Sequence, residues 1–427
     1  MLTIYIFLVL IALLLVNVPV VVAIGLTPVI FLVAMDETFV LAMLAQRMYY
    51  GTTGFTLLAI PFFIFAGNLM NVGGITDRIF RFAKALVGHI PGGLGQVNIL
   101  ASVIFSGMSG SAVADAAGLG QIEHKAMVDD GFPPAVSATL VAASSIIGPV
   151  IPPSIPFVLY GAITNESVAR LFMAGFIPGL ILSAGLMLSL AIIAKRRNYP
   201  QSPHRAPFSE LGASFLGAFF PLMAPIIIIG GIMTGFFTPT EASVVVCLYA
   251  ILLGFGYRQL AFRDLPAIIW KSIGQSASLL FIMAAANFFG YFIIFKRVPD
   301  ALIEGLMSYG ASQATVIWLI ILIVLVMGCF LEGNAIFLIT LPIFIPIAKN
   351  YGIDLINFGV VMTLLIMIGN LTPPVGMCLF AVDSFARVGI PALTRHVWPY
   401  LVVIFLVTVL IAFVPSIATW LPNYLMG

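Results

Sequence analysis

What most constrains this chain is that runs of apolar residues long enough to cross a bilayer recur from one end to the other. About 20 consecutive apolar residues in a helix span a hydrocarbon core. Runs of that order occur at Leu2–Met35, Leu171–Ala194, Phe215–Phe237, Thr315–Phe330 and Leu401–Trp420. Only 8% of the residues are charged and 62% are hydrophobic, whereas a soluble chain carries about 25% charged residues. Most of the outer surface must therefore face something other than water. About eleven apolar segments can be counted, some too long or too interrupted to be one simple span. The expectation is an all-α integral membrane protein embedded in the lipid bilayer, with about eleven transmembrane segments.

Several function classes fall away. The N-terminus lacks the positive region of a signal peptide, since the first charged residue is Asp36, and its apolar run is too long for one. It reads as a membrane-embedded start. A net charge of +2 gives no pull toward nucleic acid. Cys247, Cys329 and Cys378 sit in apolar runs, which argues for packing and against a disulfide framework. The four histidines are far apart and show no metal-ligand spacing. No GxxxxGK[ST] loop is present, so the chain does not use ATP through a Walker site. Gly107-Met-Ser-Gly-Ser111 comes near the G-x-S-x-G elbow, but Ser111 stands where its last glycine is required. No enzyme is expected, and uphill transport would have to draw on an ion gradient.

A repeat organises the chain. The polar stretch Lys195–Pro207 divides it nearly in half, into 1–200 and 201–427. Gly148-Pro-Val-Ile-Pro-Pro-Ser154 matches Gly369-Asn-Leu-Thr-Pro-Pro-Val375 at an offset of 221, which also pairs Gly107 with Gly328, Gly131 with Gly352 and Pro178 with Pro399. An offset of 219 brings Asn68 onto Asn287 and Arg78 onto Arg297. The matches fall on Gly and Pro breaks inside apolar segments. A Pro-Pro pair removes two backbone donors, and such backbone is tolerated at membrane depth only inside protein or beside a watery cavity. Paired breaks point to a binding site built from discontinuous helices. They are expected near 135–160 and 355–382.

Each break is preceded by a polar interruption. Ser106-Gly-Met-Ser-Gly-Ser-Ala-Val-Ala-Asp115 carries many small polar residues and a carboxylate; Gly328-Cys-Phe-Leu-Glu-Gly-Asn334 carries Glu332 in a run ending at Pro342 and Pro346. Each reads as the tip of a re-entrant hairpin, near 95–125 and 325–348. Small-residue packing explains the glycines and serines but not Asp115 or Glu332, because carboxylates at membrane depth are costly and usually functional. A third pair is amphipathic. Ile75, Ile79, Phe82 and Leu86 share one helical face with Asp77, Arg78, Arg81 and Lys84 mainly elsewhere, and Lys296-Arg-Val-Pro-Asp300 holds the matching place. Both read as interfacial arms with snorkelling cations.

On Phe105–Asp115, Gly148–Ser154, Phe330–Ala335 with Leu341–Pro346, and Gly369–Val375 taken together, the chain resembles the large membrane subunit of tripartite ATP-independent periplasmic (TRAP) transporters, from Met1 to about Leu421, with the sialic-acid branch as the nearest. The resemblance implies inverted repeats and an elevator of scaffold and transport domains in a bacterial inner membrane. It implies a small membrane subunit and a soluble periplasmic binding protein as partners, an organic anion as substrate, and sodium as the coupling ion, two or more per cycle. Carried over residue by residue, one sodium site takes Ser106, Ser109 and backbone around Gly148, Ile151 and Pro153. The other takes Gly328, Gly369, Thr372 and Val375. Sodium is a hard cation that wants oxygens, and unwound carbonyls supply them.

Lysine and arginine are absent from all four motif segments. Helix N-termini, hydroxyls and amides would then hold the anion, with sodium neutralising charge. It is expected near Ser111, Ser154 and Asn334, with Asp115 and Glu332 either contacting it or orienting the hairpin tips. The Lys195–Arg205 cluster should be cytoplasmic. A stand-alone sodium/carboxylate symporter and a membrane enzyme on a lipid-linked substrate are the competing readings.

Overall fold

The computed structural model describes residues 2–426 apart from Pro203, and every regular element among them is a helix. Seven helical segments are long and apolar enough to cross a bilayer: Phe55–Val72, Val168–Arg197, Phe208–Met233, Pro239–Gly256, Leu265–Phe295, Gly333–Asn350 and Ile390–Phe413. Eight further apolar helices of 10–17 residues accompany them among the described residues, and several belong to segments that are interrupted. The first run shows why. Pro19, with its fixed φ and no N–H, separates Leu2–Leu15 from Val20–Ala34, and neither piece has the ~20 residues of a full crossing. Leu216, Leu252 and Trp270 point outward, as side chains facing acyl tails would.

The element order repeats as the sequence offset requires. Helices beginning at Ala112, Pro134, Ile155 and Val168 have successors beginning at Gly333, Leu355, Met377 and Ile390, which lie 221, 221, 222 and 222 residues on. The first break separates Pro134–Ser145 from Ile155–Thr164, and the second separates Leu355–Leu371 from Met377–Ala386. Both breaks contain a cis Pro-Pro bond, Pro152–Pro153 and Pro373–Pro374.

Each hairpin enters and leaves on one face. The first consists of Gly93–Ser109 followed by Ala112–Ala117 and Leu119–Asp129. Just before it, the Gly88 carbonyl accepts from the Ser202 N–H at 3.0 Å. Just after it, the Phe132 ring meets Tyr199 at 5.3 Å. Both ends therefore lie against residues 199–202. The second hairpin, Gln313–Gly328 and Gly333–Asn350, closes its mouth with a bond from Gln313 Nε2 to the Gly352 carbonyl at 3.2 Å. Tyr160 donates to the Leu355 carbonyl at 2.6 Å, and its neighbour Gly161 packs on Val168. The second mouth thus sits near the Val168 end of the helix Val168–Arg197, while the first sits beyond its Arg197 end. The two mouths are on opposite faces.

Helices group accordingly. Phe55–Val72, Phe208–Met233, Pro239–Gly256 and Leu265–Phe295 pack together with the N-terminal helices, and the hairpins and breaks pack on one another. Leu265–Phe295 also lies along Gly333–Asn350. Of the two amphipathic arms, Ile75–Val87 buries Ile75, Ile79, Ala83 and Val87 and exposes Asp77, Arg81 and Lys84. Its Arg78 lies over the Tyr257 ring, 3.8 Å from the centroid. The other arm, Val298–Ser308, departs from expectation. Lys296 does not snorkel but forms an ion pair with Glu37, its side chain 8% exposed, so it ties this arm to the loop after Val20–Ala34.

Candidate functional site: hairpin tips against helix breaks

The first tip turns at Gly110, whose φ of 62° ends Gly93–Ser109 in the left-handed region that glycine adopts without penalty. A methyl group there would lie 2.9 Å from the Pro153 carbonyl oxygen and 3.2 Å from the Ile155 nitrogen. The tip therefore touches the first break with its backbone. Ser111 is extended, and its hydroxyl accepts from the Ala114 N–H at 3.4 Å, an N-cap. Asp115 is 4% exposed, and its carboxylate fills the space over Gly148. Ser154 is fully buried and ties the break together. Its hydroxyl donates to the Pro149 carbonyl and accepts from the Phe157 N–H at 3.3 Å. Ile151 and Pro153 lie in this break.

The second junction is tighter still. A methyl group on Gly369 would lie 2.8 Å from the Cα of Gly328, and one on Gly328 would lie 2.7 Å from the Cα of Gly369, so neither position has room for a side chain. The Val375 N–H donates to the Cys329 carbonyl at 3.3 Å, joining break to tip. Glu332 caps Gly333–Asn350. One of its oxygens accepts from the Ala335 N–H at 3.1 Å and the other from Asn334 Nδ2 at 2.7 Å. Both of its oxygens are thus engaged at the start of that helix.

Both carried-over hydroxyls that can be described suit a hard cation. Ser106 Oγ donates to the Val103 carbonyl at 2.5 Å and Thr372 Oγ1 to the Ile368 carbonyl at 2.7 Å. A hydroxyl that has donated its one hydrogen keeps its lone pairs. Ser109 ends its helix, and its side chain lies outside the described residues.

The two junctions share one region. Met377–Ala386 of the second break packs on both Ala112–Ala117 of the first hairpin and Pro134–Ser145 of the first break. Of the residues singled out in the sequence, Ser106, Gly148, Ile151, Pro153, Ser154, Ser111 and Asp115 gather at the first junction. Gly328, Gly369, Thr372, Val375, Glu332 and Asn334 gather at the second. Two polar features escaped the sequence reading. Asn370 lies 5% exposed beside Gly333, and its Oδ1 has no hydrogen-bond partner among the described residues; its place next to Gly369 in the motif was the available signal. Asn98 donates to Glu123 between the legs of the first hairpin, both buried. Glu123 sits in Gln-Ile-Glu-His-Lys, which looks like a solvated face.

Residues 7–417 match the family described as the tripartite ATP-independent periplasmic transporter, DctM component. The chain belongs to this family. It is 44% identical over 382 residues to the sialic acid TRAP transporter permease protein SiaT of Haemophilus influenzae (strain 86-028NP), covering 89% of this chain but only 62% of that longer protein. It is 43% identical to the sialic acid TRAP transporter large permease protein SiaM of Vibrio cholerae, covering 90% of each. To the C4-dicarboxylate TRAP transporter large permease protein DctM of Rhodobacter capsulatus it is 36% identical, over 97% of this chain and 98% of that one. Among solved structures, the Alcanivorax borkumensis YdaH transporter aligns with a TM-score of 0.62 at 16% identity, over 91% of this chain and 90% of that chain. Neisseria gonorrhoeae MtrF aligns with the same TM-score at 14% identity, over 91% and 85%. These last two share the fold. The relatives are named as permeases, and this TRAP-family chain is a multi-pass transport protein of the inner membrane rather than an enzyme.

Proposed function

We propose that this chain is the translocating subunit of a sodium-coupled TRAP system that takes up an organic anion. The observation that carries the reading is the pair of junctions at which each hairpin tip meets a helix break, backbone against backbone. Such junctions surround a cation with carbonyl and hydroxyl oxygens and aim helix ends at an anion. Sialic acid is the substrate favoured by the two relatives of highest identity described above. The two halves are inverted repeats, a relation supported by hairpin mouths on opposite faces. The hairpins and breaks form a transport domain that moves as an elevator against a scaffold built around Phe208–Met233, Pro239–Gly256 and Leu265–Phe295. A small membrane subunit flanks that scaffold, and a soluble periplasmic protein delivers the anion.

Two sodium ions entering with one monovalent anion carry one net positive charge, worth ~2.3 kcal/mol at ~100 mV. A tenfold sodium gradient adds ~1.4 kcal/mol for each ion, and the resulting ~5 kcal/mol supports accumulation of about 10³- to 10⁴-fold. The test is uptake of labelled sialic acid into proteoliposomes holding this chain and its small subunit. Accumulation should require inward sodium and the binding protein, and should rise with an inside-negative potential. Uptake without sodium would reject the coupling. Robust sodium-driven uptake by this chain alone would favour a stand-alone symporter.

A further inference from the structure

We propose that the cleft around Arg47 is a carboxylate-binding site on the face of the second hairpin's mouth, where the anion docks before it reaches the hairpin tips. This deepens the transport reading and rests on it for the identity of the anion. The cleft encloses about 310 Å³ between Leu265–Phe295 and Gly333–Asn350, and Arg47, Asn287, Tyr291, Pro342 and Pro346 are among its lining residues. Its floor is tight, since a methyl group on Gly290 would lie 2.9 Å from the Pro342 ring. Its position follows from the helices that line it: Pro346 stands six residues before Gly352 at the second mouth, and Lys296, which ends the long helix beyond Tyr291, pairs with Glu37.

Arg47 carries the charge of this site. It is half-buried, and its guanidinium lies over the Tyr291 ring, 4.1 Å from the centroid. Among the described residues no carboxylate pairs with it. Stacking holds the guanidinium by its face and leaves its rim of N–H donors for a planar, two-oxygen partner. In a cleft otherwise lined largely by apolar side chains, few protein groups compete with a carboxylate for this charge. Asn287 is exposed beside it and offers both a donor and an acceptor. Its counterpart in the first half, Asn68, is instead clasped by Ser272 at 2.9 Å and Gln275 at 2.8 Å. One of two matched positions is thus closed by the protein itself, and the other is left for a ligand.

Two measurements separate this site from the transport reading. Equilibrium binding of labelled sialic acid and of labelled succinate to the purified complex with the small subunit, measured without sodium, reads the cleft through its Arg47-dependent part; sodium-driven uptake with the binding protein reads transport. Loss of a charge-assisted pair lowers affinity about 10- to 100-fold, so Arg47→Gln should weaken the preferred acid by that factor. Arg47→Lys should fall between, because it keeps the charge and loses the fork. The methyl ester of sialic acid should bind wild type and Arg47→Gln alike. Unchanged sodium-dependent thermal stabilisation shows that the variants fold. Equal acid affinity in wild type and Arg47→Gln would overturn the site, as would binding of neither acid to the wild type. Arg47-dependent binding without sodium-driven uptake would leave the site standing and reject the transport reading.

Discussion

At the scale of single residues, the contact between Gly328 and Gly369 gives the sharpest expectation. Gly369→Ala inserts a methyl group 2.8 Å from the facing Cα, so hairpin tip and break must part. Overpacking of this kind costs about 1–3 kcal/mol, and the half-saturating sodium concentration should rise about tenfold or more. Gly217→Ala is the control, since nothing lies within 4 Å of a methyl group there; equal sodium response in both variants would remove the junction from the site. Thr372→Val keeps the shape and removes one oxygen. Losing a hydrogen-bonding group to a charge costs about 1.5–3 kcal/mol, so uptake should again need about tenfold more sodium. An unshifted sodium titration would mean that Thr372 contributes only its bond to Ile368. Thr372 and the glycines could be singled out from the sequence because they stand in repeated motifs. Arg47 could not, because it belongs to no motif and gains its meaning from Tyr291, 244 residues away in the chain.

At the scale of elements, Glu332 separates two roles that the sequence left open. As the cap of Gly333–Asn350 it should tolerate Glu332→Asp, since aspartate is a favoured N-cap, whereas Glu332→Ala should cost about 1 kcal/mol. The measurement is thermal stability beside anion affinity. An alanine variant of normal stability with weakened anion binding would show that the carboxylate meets substrate instead. The hairpins were legible because glycine, serine and carboxylate have no reason to interrupt a lipid-facing helix. The second arm was legible only in part. Lys296 carries the same charge whether it snorkels or pairs, and its partner Glu37 lies 259 residues away. The interruption of the first apolar run was illegible for a related reason: hydropathy registers the run 2–35 but not the turn that Pro19 imposes on it.

At the scale of the whole molecule, opposite mouths and one charged connection fix orientation. The Arg197 end of Val168–Arg197 carries Lys195, Arg196 and Arg197 in its last turn, so that face should be cytoplasmic. Arg170, near the other end, bonds Asn423 at 2.6 Å, which brings the C-terminal helix Ser416–Met426 to the opposite face. A periplasm-active reporter fused after Gly427 should therefore be active, and one active only in the cytoplasm would contradict the arrangement. The repeat made this much readable, because a register kept over more than a hundred residues survives changes in individual side chains. The length of that same helix has a further consequence. Its 30 residues extend about 45 Å, and an ordinary tilt of about 20° still leaves about 42 Å against a hydrocarbon core of about 30 Å. The surplus emerges at the end bearing the three exposed cations, among the phosphate groups of the inner leaflet. Each cation near an anionic leaflet gains about 1 kcal/mol, so acidic phospholipids should add to the protein packing that sets the depth of this helix, and a bilayer made only of zwitterionic lipid should remove that addition.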